Sequence, residues 1–130
     1  MAYEKPLFLH SRRAAADLTT HQYKYVKLDA NGDVILCAAA TDVPYGILQN
    51  APNTDQDAEV MLVGISKLVS GGVIAVGALV GTDANGKGDS KTAGTDTTEY
   101  TVGRYIGNAA AAANDIITVT VNTLSPGRAA

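Results

Sequence analysis

The chain has 130 residues, a net charge of −3, a single cysteine and no tryptophan. That length suits one domain, which buries roughly two-thirds of the surface its unfolded chain exposes, and one cysteine excludes an internal disulfide. The charge is uneven: residues 1–28 hold five basic and two acidic side chains, whereas residues 29–127 hold four basic and eleven acidic. A basic start on an acidic body suggests a segment that contacts something acidic. Cys37 sits between Leu36 and Ala38 and reads as a small buried hydrophobe. The first ten residues lack the apolar stretch of a secretory signal, so the expectation is a cytoplasmic product.

Residues 1–22 mix the apolar Tyr3, Leu7, Phe8 and Leu9 with charges, and Pro6 disfavours helix at Lys5. The expectation is an extended N-terminal arm, with one short helical turn near Arg12 to Leu18. Tyr23 to Leu28 alternates as a half-buried strand does. Asp29-Ala30-Asn31-Gly32 then signals a type I′ hairpin, in which both central residues take positive φ, with Val34 to Cys37 returning. Val43 to Leu48 reads as a strand whose proline places it at a start or an edge. Residues 49–56 form a polar loop, and 58–65 a further strand.

Gly71-Gly72 is a turn, and Val73 to Val76 and Ala78 to Val80 are short apolar runs. Residues 82–99 read as a polar excursion. Tyr100 to Ile106 and Ile116 to Val121 are the last strands, the second β-branched at every position. Residues 123–130 are expected to be a flexible tail. About seven short strands with turn signals roughly every ten residues predict an all-β domain over residues 23–122, a small β-barrel or β-sandwich.

Residues 60–81 carry only one charge, Lys67, and could be read as a membrane span with Gly77 and Gly81 as a helix-packing pair. A lysine inside the span costs about 2.5–3.5 kcal/mol on insertion scales. The uncharged part reaches about 21 Å as helix against an apolar core of about 30 Å. Five glycines each weaken a helix by about 1 kcal/mol relative to alanine. Buried strands fit better, and no membrane is expected.

Signals of chemistry are near misses. Gly81 to Gly88 approaches a phosphate-binding loop, but Gly88 stands where a hydroxyl must reach Mg²⁺. Asp29, Asn31 and Asp33, like Asp83, Asn85 and Asp89, start as calcium loops do. The twelfth positions, Ala40 and Gly94, lack the closing glutamate. His10 and His21, the only histidines, lie in the arm, away from any scaffolded nucleophile. No catalytic residue, metal site or cofactor is assigned, and the acidic body argues against nucleic acid.

The stretch D-A-E-V-M-L-V-G-I-S-K-L-V-S-G-G-V-I-A-V-G-A-L-V-G-T-D-A-N-G-K resembles the capsid decoration (cement) proteins of tailed phages. So does its setting, with L-D-A-N-G-D-V and T-D-V-P-Y-G-I-L upstream and V-G-R-Y-I-G-N-A and D-I-I-T-V-T-V downstream. The match spans roughly residues 23–122. The resemblance implies a structural virion protein, made in the host cytoplasm, on the outer surface of the phage head. It would bind the major capsid protein lattice at junctions between subunits, often as a homotrimer, and stabilise the shell. The arm residues Tyr3, Leu7, Phe8, Leu9, Arg12 and Arg13 would then reach the capsid. Val73, Ile74, Val76, Leu79 and Val80 would form the contact between copies. A tail or fibre module is the alternative, and a ligand-binding β-barrel the more distant one.

Overall fold

The apolar runs Gly46-Ile47-Leu48 and Val60-Met61-Leu62 form central strands buried on both faces. Tyr25, Ile47 and Met61 enter one core cluster with Ile74, Val80 and Val119. Their chain neighbours Val26, Leu48 and Val60 point the other way, into a second cluster with Ala14, Leu18 and Val34. A sheet covered on both sides needs no polar face, so its strands lose the alternation that marks a half-exposed sheet. That is the physical source of the first part of the membrane-like run, whereas Val73 and Val76 in its second part are exposed. No helix among the described residues is long and apolar enough to cross a membrane.

The computed structural model describes residues 2–130. In chain order the strands are β1 (Lys5–Arg13), β2 (Tyr25–Leu28), β3 (Val34–Leu36), β4 (Gly46–Leu48), β5 (Asp57–Val69) and β6 (Leu79–Thr82). They continue with β7 (Gly88–Ser90), β8 (Tyr100–Thr101), β9 (Gly103–Arg104), β10 (Ile116–Asn122) and β11 (Gly127–Arg128). The largest sheet runs β1-β5-β4-β2-β3, with β10 also paired to β5. A second sheet, β7-β6-β9, supplies Val80 to the first core cluster. The all-β expectation holds. The main sheet curls far enough for Ala14 to bridge Val34 in parallel, but it does not close into a barrel, so the arrangement is sandwich-like.

The segment expected as an extended N-terminal arm lies along its own domain. Residues 5–13 pair antiparallel with β5 from Lys5↔Ile65 to Arg13↔Asp57, with register shifts on either side of Phe8. No helical turn forms between Arg12 and Leu18. Ala14 and Leu18 are buried instead, because the second face of the central sheet needs apolar cover. The pairing requires a glycine at position 64. Its φ is +141°, and a Cβ there would stand 2.6 Å from the Lys5 carbonyl oxygen.

Other expected boundaries shift for local reasons. Tyr23 takes a φ of 64° and leads into β2 rather than belonging to it. β5 continues through Gly64 to Val69, because β10 pairs with its second half. The hairpin at 29–33 is not type I′, since Gly32 alone has positive φ there. The Asp29 carboxylate accepts N–H bonds from Asn31 (2.8 Å) and Asp33 (2.9 Å), which favours a type I turn closed by a left-handed glycine. Asp83 does the same for Asn85 and Lys87, so the echoed D-A-N-G segments build the same loop twice. The tail is also engaged: β11 pairs with β8, and Ala129 is buried with its N–H on the Glu99 carbonyl.

Cys37 is fully buried, and burial pushes its thiol up to about 12. Thiolate is the reactive form. A disulfide-exchange reagent at pH 8 should therefore leave the native protein unlabelled and modify it at once in denaturant. Rapid native labelling would contradict the packing described.

Candidate functional site

β1 is an edge strand, and Tyr3 through Ser11 are exposed. Leu7 is 82% exposed, and Tyr3, Phe8 and Leu9 also show large apolar area to solvent. Phe8 and His10 form one wall of an open groove of about 570 Å³. Leu28, Val43, Pro44, Leu62 and Leu124 add to its apolar lining. The His10 ring meets the Tyr45 hydroxyl through Nδ1 and stands edge-on to the Tyr45 ring, with centroids 6.2 Å apart. At the rim Lys27 pairs with Asp42 at 2.9 Å. Burial would raise the Asp42 carboxyl, but Lys27 and the N–H groups of Ala38 and Ala39 outweigh it and hold the group below its usual value. A contiguous exposed apolar patch with a polar rim is the form of a protein-binding surface.

The two arginines expected in the arm serve the fold. Arg12 Nε donates to the Gly32 carbonyl at 2.8 Å. Arg13 donates to Asp33 at 2.5 Å and to Asp55 at 2.8 Å, clamping β1 to the hairpin after β2. The hydrogen bond from Arg13 lowers the Asp33 carboxyl below its ordinary value. A lowered native value adds stability above the unfolded value, and that contribution is lost as pH falls through the native one. An Arg13→Ala variant should therefore be less stable than wild type at pH 7. The two stabilities should converge as pH falls below the ordinary carboxylate range and through the lowered native value of Asp33. Urea midpoints across pH 2–7 check this, and a constant gap would refute the pairing.

The expected copy contact is divided. Ile74 and Val80 are fully buried in the chain's own core, since Ile74 bridges Ala111 and Val80 sits on β6, the middle strand of the β7-β6-β9 sheet. Val73 (77% exposed), Val76 and Leu79 face outward. Nothing in residues 73–80 alone distinguishes the inward positions, because the run is neither helical nor a single strand.

Sequence reasoning missed Leu28, Val43, Pro44 and Leu124. They stand at strand ends and in the C-terminal segment, and only the fold brings them together. It also missed Lys91, whose side chain is 0% exposed. Its ammonium donates to the Thr82 carbonyl at 2.8 Å, to Asp89 at 3.2 Å and to Glu99. Among the described residues no three His, Cys, Asp or Glu converge as metal ligands do. Each D-A-N-G carboxylate instead accepts from its own loop.

No protein-family model matches the chain, and no curated protein matches it. Among solved structures it is similar to the head fiber gp8.5 N base in bacteriophage phi29. The likeness has a TM-score of 0.66 at 13% identity and covers 89% of this chain and 94% of that one. At that identity, what the two share is the fold.

Proposed function

We propose that this chain is a structural protein of a phage virion, seated on the outside of the head at junctions between major capsid subunits and stabilising the shell. The observation that carries the reading is the likeness, over nearly the whole of both chains, to the base of a phage head fiber. The exposed apolar surface of β1 and its groove supports it, since such a surface gains from a protein partner. The capsid contact is Tyr3, Leu7, Phe8 and Leu9 with the groove. Arg12 and Arg13 hold that surface in place. The outward-facing Val73, Val76 and Leu79 serve a homotrimer. No catalysis or cofactor enters this role.

A second reading follows from the same likeness: the domain is the foot on which a fibre stands. It differs in needing a further segment above the domain, whereas a cement role needs only the shell contact.

The test is co-sedimentation with emptied, expanded heads assembled from the capsid protein of the same genome. Wild type should pellet with the heads. A Leu7→Ser/Phe8→Ser variant should fold normally and lose binding at least about tenfold, the equivalent of 1.4 kcal/mol. Undiminished binding by that variant would remove β1 from the contact. Failure of wild type to pellet would remove the shell reading itself.

A further inference from the structure

β1 is held in two unequal halves. From Arg12 onward it is locked: Arg12 reaches the Gly32 carbonyl, Arg13 reaches Asp33 and Asp55, and Ala14 is buried and bridges Val34. Residues 3–8 place no side chain in either core cluster. Pro6 has no N–H to give a ladder, and the register slips between Pro6 and Phe8 and again between Phe8 and Leu9. What fastens this half, besides the pairing, is peripheral. The Tyr3 N–H donates to Thr118 Oγ1 at 3.1 Å, and the half-exposed Glu4 meets Lys67 and accepts from the Tyr23 hydroxyl, each at 3.4 Å. Such ion pairs contribute about 0–1 kcal/mol.

We infer that residues 2–8 form an exchangeable strand, which leaves its own β5 edge and pairs with the same edge of a second copy of this chain. The occupant follows from the chain itself. The β5 edge at Val63–Ile65 accepts the segment around Lys5–Phe8, with Gly64 clearing room for its backbone. An identical segment from another copy remakes every one of these contacts, so exchange forfeits none of them. Seven extended residues span about 23 Å, enough to bridge adjoining copies. The hinge lies at Leu9–Ser11, between the locked half and the slipped register. This inference goes beyond the shell reading and does not depend on it, because it concerns the protein alone.

The test uses single-cysteine variants of the purified chain. Lys5 and Ile65 are opposed across the pair, and Cys37 is fully buried, with its thiol pushed up by burial. Lys5→Cys and Ile65→Cys proteins are mixed at high concentration, incubated and oxidised. The expected product is a disulfide-linked heterodimer, in yield well above a Lys5→Cys with Val73→Cys control. Equal yields in the two mixtures would overturn the exchange. Hydrogen exchange gives the second reading: amides of residues 5–8 should exchange at least about tenfold faster than those of residues 10–13. Equal protection along β1 would overturn the hinge.

Discussion

A Glu99→Ala substitution should cost about 3–5 kcal/mol of unfolding free energy, because it leaves a charged group in the interior without its nearest counter-charge. The Lys91 side chain is wholly buried, and its three protons meet three oxygens, on Thr82, Asp89 and Glu99. Those acceptors come from β6, from β7 and from the turn before β8, so one ammonium ties the two ends and the middle of the 82–99 excursion together. Lys91→Met should cost less, since Asp89 and Glu99 keep some exposure and regain water once the ammonium is gone. The double change Lys91→Met/Glu99→Ala should recover part of the loss, as buried pairs replaced by apolar groups often do. Urea unfolding of the two single variants and the double variant completes the cycle. Strictly additive losses would mean that the two residues do not interact.

Leu18→Ala should destabilise the domain by about 2–5 kcal/mol, the range for emptying a packed leucine site. Leu7→Ala should stay within about 0.5 kcal/mol, as exposed positions do. Both lie in the first 22 residues, and the contrast separates the two roles of that segment. Leu18 is fixed by its N–H on the Pro52 carbonyl and packs in the cluster that covers the second face of the main sheet. Leu7 touches neither cluster. Truncation experiments should therefore stop before Ala14. Removal of residues 2–20 would unfold the protein and say nothing about binding. If Leu18→Ala left the urea midpoint unchanged, residues 14–18 would not belong to the core.

The strands were legible where one face meets water or where β-branching is continuous, as in β10. They were blurred where both faces are buried. β5 reads from sequence as residues 58–65, with Gly64 inside it and its continuation to Val69 unmarked. It continues because glycine there admits the backbone of β1 rather than ending the strand. The D-A-N-G loops announced hairpins, but the turn type turned on the Asp29 carboxylate, and a dipeptide signal does not include it. Tyr3, Leu7, Phe8 and Leu9 of the expected arm are exposed on β1, whereas Arg12 and Arg13 find partners at 32, 33 and 55 that are distant in sequence. Lys91 could not be read at all, since a lysine in a polar stretch is ordinarily solvated.

The proposed role requires that the β1 face and its groove dock on an assembled phage shell. The most direct measurement is the affinity of the purified chain for assembled, expanded heads beside its affinity for unassembled capsid subunits at the same salt. The account predicts saturable binding to heads and binding at least about a hundredfold weaker to free subunits, because a junction site exists only in the lattice. Equal affinity for both, or no binding to heads, would contradict it.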